Sequence, residues 1–460
     1  MTSTPGIPDS PDSVRQNAKP GRIPVLLSDG TTAFGGARVC FRDLLENLDK
    51  DIFEVHALMR DDVLDFRGIP GVTFHYYPYL LQFEIAWELR KRRWLPKKAA
   101  SSLSIPIHFA THFLPYSVFL IRLCRRHRIR LIHINNQLLY NFPTLSVARL
   151  LGIPVVSHQR EFPVPSKVVK NRLCDSLIHR HIAVSGSIGA ALVRAGIPAR
   201  KIQVIYDSVD FGKLSEAAVP KPTGALKQVG VPKAADENGL KVKKGPLAAT
   251  GESDFKMGMF GRVTGWKGQM QVIQAVESAV RRNPHLKLYI VGNASDAEDG
   301  YLEACEEYCR AHRLERWVEF TGYIPKPHIL MAGMDAIVHN SVTPEPFGMV
   351  VAEGMALGRV VLASRLGGPA EIIEDGVNGY LADPLDVETL AEKLLYLAER
   401  FALSPAEFAA VGAAGAATVR EKFNLRIQVG KVGRLYREIL AGPRTPSAAP
   451  APTASDVRIP

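Results

Sequence analysis

The stretch EPFGMVVAEGMALGRVVLAS, residues 345–364, contains the alternation on which the fold assignment depends. Pro346 and Gly348 predict a turn, and the apolar residues after them predict a helix. The segment RVVLAS, which closes the stretch, favours a short buried strand. The same alternation recurs along most of the chain, and it predicts parallel sheets with helices on both faces.

Two alternating series are separated by a change in composition. The first begins with RIPVLLS (22–28) and the second with FKMGMFGRV (255–263). Residues 213–254 between them are rich in Lys, Pro, Gly, Ala and Glu and predict a linker or insertion. We therefore predict an α/β protein with two Rossmann-like, doubly wound parallel-sheet domains. They would face each other across a cleft, with ligands at the carboxyl ends of the strands.

The predicted domain bounds follow from these series. The N-terminal domain is expected at 22–212 and the C-terminal domain at 255–420. The segments 1–21 and 441–460 are rich in Pro and Ser and are expected to be disordered tails. The sequence contains neither a signal-peptide pattern at its start nor an apolar run of transmembrane length, and we expect a cytoplasmic protein.

Positive charge is concentrated in one part of the chain. The net charge is +11, and eleven Lys or Arg residues but only one acid, Glu88, lie in the basic stretch 85–130. Trp and Phe residues are interleaved with these cations, which favours contact with an anionic membrane surface. A solvated basic face is the alternative. Nucleic acid is not expected as a partner, because no nucleic-acid-binding motif accompanies the charge.

The cysteines give no sign of a metal centre. The five cysteines are scattered and form no CxxC pair, which suits a reducing compartment. Cys305 and Cys309 are four residues apart on a predicted helix, and we interpret them as core residues. We expect no bound metal.

Two carboxylates in the opening stretch need an explanation. Glu345 lies at the predicted turn and Glu353 within the apolar helix, where a buried carboxylate is costly without a partner. Unbonded amides are expected at the start of this helix, around Phe347, Gly348, Met349 and Val350. Amide donors beside carboxylate acceptors suit a hydroxyl-rich ligand. The alternative is that Glu345 caps the helix and Glu353 pairs with an internal cation.

The loop GRVTGWKGQ (261–269) follows a predicted strand and precedes a predicted helix. Its Arg262 and Lys267 would suit a diphosphate at the helix N-terminus. The loop is neither a GxGxxG fingerprint nor a Walker loop. A pair of ordinary surface cations is the alternative.

Three residues in the first series are further candidates. Gly35 and Gly36 lie between the first strand and the first helix, where glycine permits close approach of a phosphate but also makes a tight turn. His158 ends the apolar strand IPVVSHQRE and would face the cleft, although a structural histidine fits the pattern equally well.

Taken together, these motifs resemble the retaining glycosyltransferases of family 4, which have the two-domain GT-B fold. The resemblance extends over about residues 22–440 apart from the insertion and is strongest in the second half. The matching segments are FGGA (34–37), HIAVSGSIGAALVRAGIPARKIQVIYDSVD (181–210), FGRVTGWKGQMQVIQAV (260–276), YIVG (289–292), VEFTGYIP (318–325), EPFGMVVAEGMALGRVVLASRLGGPAEIIEDGVNGYLADP (345–384) and LYREIL (435–440).

The resemblance implies roles for the candidate residues. Glu345 and His158 would meet the transferred sugar, and Glu353 the ribose. The other implied contacts to the nucleotide-sugar donor are Gly35, Gly36, Arg262, Lys267, Gly292, Phe347, Gly348, Met349 and Val350. The family also implies that the last helix, about 421–440, crosses back to the N-terminal domain. The family commonly has Asn-Gly-Val/Ile-Asp where this chain has Asp-Ser-Val-Asp at 207–210.

The resemblance implies a reaction as well. A sugar would move from a UDP- or GDP-sugar to a lipid-linked or polysaccharide acceptor at the inner face of the membrane. Anomeric configuration would be retained by a front-face displacement, with no metal or other cofactor. The alternatives are an epimerase of nucleotide sugars with the same fold and a protein that binds nucleotide sugars without catalysis.

Overall fold

The computed structural model describes residues 21–29, 35–60, 66, 68–77, 103–104, 106–107, 109–135, 142–163, 174–215, 254–294 and 300–442. The predicted tails, the predicted insertion and the first part of the basic stretch lie almost entirely outside the described residues.

The first sheet has seven strands in the order β3-β2-β1-β4-β5-β6-β7. Its strands are β1 (Ile23–Asp29), β2 (Phe53–Met59), β3 (Val72–Tyr76), β4 (Leu131–Asn135), β5 (Val155–Gln159), β6 (Arg180–Ala183) and β7 (Ile202–Val204). The pairings of β1 with β2 and β4, of β2 with β3 and of β4 with β5 are parallel.

The second sheet has six strands in the order β10-β9-β8-β11-β12-β13. They are β8 (Phe255–Phe260), β9 (Leu286–Val291), β10 (Val318–Gly322), β11 (Ala336–His339), β12 (Val360–Ser364) and β13 (Tyr380–Ala382). All its pairings are parallel. The predicted parallel α/β architecture is confirmed.

The α-helices whose bounds fall within the described residues lie between these strands and after them. They are α1 (Gly36–Asn47), α2 (Leu114–Arg126), α3 (Phe142–Leu151), α4 (Gly186–Arg194), α5 (Phe211–Ser215), α6 (Gln269–Val280), α7 (Tyr301–Ala311), α8 (Pro327–Met331), α9 (Met349–Ala356), α10 (Pro369–Ile372), α11 (Val387–Leu403), α12 (Pro405–Lys422) and α13 (Leu425–Ala441).

The described residues group into two compact units. The first lies within Met1–His158, Ser166–His181 and Val429–Pro460, and the second within Gln159–Pro165 and Ile182–Gln428. The six-stranded sheet belongs wholly to the second unit.

Strand β9 illustrates how both faces of the second sheet are covered. All six of its residues are buried. Leu288 and Ile290 belong to one hydrophobic cluster, together with residues of α6 and α11. Tyr289 and Val291 belong to another cluster, together with residues of α9. Successive side chains of a strand point to opposite faces, so the sheet is packed on both sides.

Helix α12 was not predicted from the sequence. Two of its glycines pack against neighbouring backbone: a Cβ on Gly412 would lie 2.3 Å from the Gly358 carbonyl oxygen, and a Cβ on Gly415 would lie 2.8 Å from that of Asn378. Glycine usually weakens a helix, and for this reason the glycine-containing segment was not predicted to be helical. Here the glycines permit the close approach of α12 to the backbone beside it.

Among the described residues, no single helix combines the length and the apolar composition of a membrane span. The pair α11 and α12 meets both criteria jointly, with a bend of 115° between the two helices.

Asp207 and Ser208, at which the chain departs from the common family pattern, belong to a buried polar network in the second unit. Asp207 is buried, and its Oδ1 accepts hydrogen bonds from the Arg160 guanidinium and, at 3.0 Å, from Gln428 Nε2. Ser208 Oγ donates to Gln428 Oε1 at 2.7 Å. The carboxylate therefore neutralises a buried cation and belongs to a network of buried polar side chains.

Replacing Asp207 by asparagine should remove the carboxylate that pairs with the buried Arg160. We expect the free energy of unfolding to fall by about 3–5 kcal/mol, measured by urea denaturation. Asp210→Asn is the matched control, because the Asp210 side chain is 24% exposed and lies 3.9 Å from the exposed Lys213. Its loss should stay below about 1 kcal/mol. Equal losses in the two variants would contradict a buried charge network.

Candidate functional site

The candidate site lies where the strand order of the second sheet reverses. Strands β8 and β11 are neighbours, while the chain proceeds from β8 to β9 on one side and from β11 to β12 on the other. A crevice opens at the carboxyl ends of the strands at such a point. The loop after β8 carries Lys267 and the loop after β11 carries Glu345.

Lys267 and Glu345 form an ion pair across this point. Lys267 Nζ lies 2.7 Å from Glu345 Oε2, and the two side chains are only 16% and 14% exposed. Lys267 Nζ also lies 4.1 Å from the centroid of the Trp266 ring. The pair is thus largely desolvated, which strengthens the attraction relative to a pair at the surface.

Two further side chains reach the same carboxylate oxygen. Ser341 Oγ donates to Glu345 Oε2 at 2.7 Å, and His339 Nε2 lies 3.4 Å from it. Ser341 Oγ is also 3.1 Å from His339 Nε2. Neither residue was expected from the sequence, although the segment HNSVTPE (339–345), from the end of β11 to Glu345, contains both at short spacing.

Glu345 is ionised at neutral pH. Burial alone would raise its pKa, but the Lys267 ammonium and the contact with His339 hold the pKa well below its usual range. An ionised carboxylate only accepts hydrogen bonds, so Glu345 is suited to receive hydroxyl donors from a ligand.

A glycine pair holds the turn that carries Glu345. A Cβ on Gly367 would lie 2.3 Å from the Glu345 carbonyl oxygen, and a Cβ on Gly368 would lie 2.4 Å from that of Phe347. The Gly368 amide donates to the Glu345 carbonyl at 2.8 Å. The loop after β12 therefore packs directly on the turn and leaves no room for a side chain.

Glu371, in α10, anchors this loop at its other end. Its carboxylate accepts from the amides of Gly186 and Ser187, each at 2.7 Å, and from Ser187 Oγ at 2.6 Å. Amides at a helix N-terminus favour negative charge. The start of α4 thus fixes α10, which in turn supports the glycine pair.

Helix α9 begins beside Glu345, as the sequence predicted. Its N-cap, Gly348, has a φ of 101° and offers no side-chain cap, while Phe347 is 3% exposed and anchors the turn in the core. Met349 and Val350 are half-buried at the first positions of the helix. The first amides of a helix have no acceptor within it, so they are suited to bind ligand oxygens.

Glu353 lies on the partly exposed side of α9. Its side chain is half-buried, whereas Val351, Ala352 and Met355 are 0% exposed. The apolar neighbours of Glu353 in the sequence suggested a fully buried carboxylate. Because the side chain is only half-buried, the cost of removing its carboxylate from water is smaller than in a fully buried position.

Arg262 and Gly292 are placed by close backbone contact. The Gly261 amide donates to the Val291 carbonyl at 2.9 Å. Gly292 has a φ of 141°, and a Cβ there would lie 1.9 Å from the Gly261 carbonyl oxygen. Glycine is thus required at 292 for backbone reasons. Arg262 follows this contact with an exposed side chain.

Of the candidates in the first unit, the two glycines lie at the start of α1, whereas His158 is buried in the sheet. Gly35 is extended at the start of α1, no side chain caps that helix, and a Cβ on Gly35 would meet nothing within 4 Å. Gly36 is the first residue of the helix. His158 is 0% exposed, and its ring centroid lies 5.2 Å from that of His133. The predicted contact of His158 with a sugar stays a prediction.

The second unit thus brings Lys267, Glu345 and the start of α9 together, and Glu353 follows on the same helix. Their ligand roles stay predictions, but the chemistry is coherent. A cation, a fixed carboxylate and helix N-terminal amides are suited to a ligand that carries both phosphate and hydroxyl groups.

Two family models match the chain. The model described as "Glycosyl transferases group 1" matches residues 248–403, and the model described as "Glycosyltransferase Family 4" matches residues 34–213. Between them they cover parts of both strand–helix series.

Curated relatives match over shorter stretches. A sucrose synthase of Acidithiobacillus caldus is 34% identical over 141 residues, which is 29% of this chain and 18% of that protein. A D-inositol 3-phosphate glycosyltransferase of Corynebacterium jeikeium is 28% identical over 190 residues, 40% of this chain and 43% of that protein. The matches therefore span less than half of either relative.

Solved structures match over nearly the whole chain. Anabaena Alr3699/HepE in complex with UDP superposes with a TM-score of 0.67 at 23% identity, covering 91% of this chain and 100% of that one. A glycosyltransferase from Rickettsia africae superposes with a TM-score of 0.70 at 16% identity, covering 92% and 100%. The fold is GT-B, and with the two family models this means that the chain belongs to family 4 of the glycosyltransferases.

Proposed function

We propose that the protein transfers a sugar from a nucleotide-diphosphate sugar to a hydroxyl of a lipid-linked or polysaccharide acceptor. The observation that carries this proposal is the desolvated Lys267–Glu345 pair at the strand switch point. The pair places a cation for phosphate beside a carboxylate for sugar hydroxyls, immediately before a helix N-terminus.

The diphosphate of the donor would bind between the cations and the start of α9. Lys267 is held by Glu345 and by the face of Trp266, so it is positioned before substrate arrives. Arg262 is exposed and free to reach a second phosphate oxygen. The amides at Phe347 to Val350 would add donors aimed at the same charge.

Glu345 and Glu353 would bind different parts of the donor. Glu345 remains ionised and fixed by Ser341, so it would accept hydrogen bonds from hydroxyls of the transferred sugar. Glu353 lies farther along α9 and would accept from the ribose hydroxyls. The contacts of Gly35, Gly36 and His158 with the donor stay predictions.

The reaction that we propose retains configuration by a front-face displacement without a metal. The bond from the anomeric carbon to the diphosphate breaks as the acceptor oxygen bonds to the same face of that carbon. The acceptor's proton passes to an oxygen of the leaving phosphate. Lys267, Arg262 and the helix amides would stabilise the negative charge that develops on the leaving group.

The comparisons support a nucleotide-sugar donor in general terms. Structures of Anabaena Alr3699/HepE, which shares the fold, are described with UDP and with UDP-glucose. We therefore propose UDP-sugars as the first donors to test, with GDP-sugars as the alternative.

A membrane-bound acceptor is supported by the basic stretch 85–130. Five of its arginines lie within the described residues, and all five are exposed on α2 or just after it: Arg122, Arg125, Arg126, Arg128 and Arg130. We propose that the stretch holds the enzyme against the anionic inner face of the membrane.

Replacing Glu345 by glutamine should lower kcat/KM for sugar transfer by about 10- to 100-fold, because a charge-assisted contact to the sugar is lost. The measurement is nucleoside diphosphate release from a panel of UDP- and GDP-sugars, with and without a membrane lipid extract. Glu407→Gln, at a carboxylate 64% exposed in the same unit, is the control and should retain full activity.

Three results would count against this assignment. Unchanged turnover in Glu345→Gln would remove Glu345 from catalysis. Acceptor-independent conversion of one nucleotide sugar into its epimer would indicate an epimerase. Tight binding with no turnover of any donor would indicate a protein that binds nucleotide sugars without catalysis.

Replacing Glu353 by glutamine should weaken nucleoside diphosphate binding by about 10-fold through loss of the ribose contacts. Inorganic pyrophosphate has no ribose, so its affinity should not change. Lys267→Gln should weaken the binding of both nucleoside diphosphate and pyrophosphate. Isothermal titration of the unaltered chain and the two variants with each ligand distinguishes the loss of a ribose contact from the loss of a phosphate contact. Equal effects of Glu353→Gln on both ligands would refute the ribose assignment.

Reversing the charges of Arg90, Arg92 and Arg93 to glutamate should release the protein from anionic vesicles. Each basic residue near such a surface contributes about 1 kcal/mol, so the partition coefficient should fall at least about 100-fold. Sedimentation with phosphatidylglycerol vesicles measures it. Charge reversal at the exposed Arg281 and Arg282 is the control. Unchanged partitioning of the first variant would exclude this membrane contact.

A further inference from the structure

Three histidines that are distant in sequence meet at one edge of the first sheet. They are His56, His75 and His127, and a ring nitrogen from each lies within 4.8 Å of the others. His56 Nδ1 and His75 Nε2 are only 3.1 Å apart. We call this group the histidine cluster.

The strands and a helix end create the cluster. His75 pairs with Leu58 in the register of β2 and β3, and residues 56 and 58 lie on the same face of β2. His75 on the edge strand β3 therefore faces the same side as His56. His127 is the residue after α2, and its ring centroid lies 4.5 Å from that of His56 and 5.0 Å from that of His75.

A carboxylate orients the central histidine. Glu54 Oε1 lies 3.2 Å from His56 Nε2, whereas His56 Nδ1 faces His75. A histidine that binds a metal through one ring nitrogen commonly donates its other N–H to a carboxylate. Glu54 thus fixes the tautomer in which Nδ1 of His56 has its lone pair directed into the cluster.

From this geometry we propose that the histidine cluster is a binding site for Zn²⁺, with His56, His75 and His127 as ligands and Glu54 as the carboxylate behind His56. Two nitrogens of a tetrahedral zinc site lie about 3.3 Å apart, given Zn–N distances of about 2.0–2.1 Å. The 3.1 Å between His56 Nδ1 and His75 Nε2 is close to that value, and the other ring nitrogens, all within 4.8 Å of one another, would move closer around the ion. Water would complete the coordination.

The protonation states of the cluster are compatible with metal binding. Burial, with the neighbouring imidazoles and arginines, lowers the pKa of His56 to about 4 and that of His75 to about 3. Burial and Arg126 also lower the pKa of His127. The rings are therefore neutral at neutral pH, the form in which imidazole binds a metal.

The surroundings give the cluster access and partial charge compensation. His56 is 1% exposed, while His75 and His127 are half-buried and border solvent. The positive charges of Arg22 and Arg126 act on the cluster and disfavour binding of a cation there. The Glu54 carboxylate offsets part of this positive charge. Bound zinc would tie the edge strand β3 to β2 and to the end of α2, in a place separate from the Lys267–Glu345 pair.

The test is titration of Zn²⁺ into the full-length, tag-free protein after treatment with a chelator. We expect one ion per chain by calorimetry, and Co²⁺ in the same site should give the strong visible absorption of four-coordinate geometry. His75→Gln and His127→Gln should each weaken binding at least about 100-fold. Glu54→Gln should weaken it about 10- to 100-fold, the usual effect of removing such a carboxylate.

His285→Gln is the matched control, because this histidine is 60% exposed and lies outside the cluster. It should bind Zn²⁺ like the unaltered chain. Near-ultraviolet circular dichroism and the affinity for nucleoside diphosphate check that the variants are folded. Zn²⁺ should raise the melting temperature of the unaltered chain and of His285→Gln, but not of His75→Gln.

Zinc binding that His75→Gln and His127→Gln leave unchanged would overturn the proposal, as would the absence of a one-to-one complex in the unaltered chain. Neither result depends on sugar transfer, so the zinc site and the proposed enzymatic function can fail separately.

Discussion

The ion pair between Lys267 and Glu345 is the contact around which the candidate site is organised. It joins the loops that leave two adjacent parallel strands, β8 and β11, at the point where the strand order reverses. The pair requires the backbone of the Glu345 turn to be held rigidly. The close approach of Gly367 and Gly368 supplies that rigidity.

Much of this arrangement follows from local sequence. Alternating apolar strands and helices predicted parallel sheets, because a chain that returns to the same sheet edge needs a crossover helix. The sequence placed Lys267 after a strand and Glu345 at a turn, but it did not predict that the two side chains pair. Helix α12 was not predicted because its alanines and glycines show little periodicity. The glycines are explained only by the neighbouring backbone that approaches Gly412 and Gly415 closely.

Other features depend on contacts between distant segments. The histidine cluster joins residues from β2, β3 and the end of α2, and no spacing within one element identifies it. The burial of His158 against His133 is likewise a property of two adjacent strands. The support of Glu345 by Ser341 is local, because the two residues lie four apart in the segment HNSVTPE.

The buried network of Arg160, Asp207 and Gln428 has a consequence for the order of events during synthesis. Gln428 is 221 residues from Asp207 along the chain, yet their side chains bond directly. A chain emerging from the ribosome can form β8 to β13 before residue 428 is available. Asp207 and Arg160 can therefore pair early, but the network forms completely only after residue 428 has been synthesised, so a shorter nascent chain lacks the Gln428 hydrogen bonds.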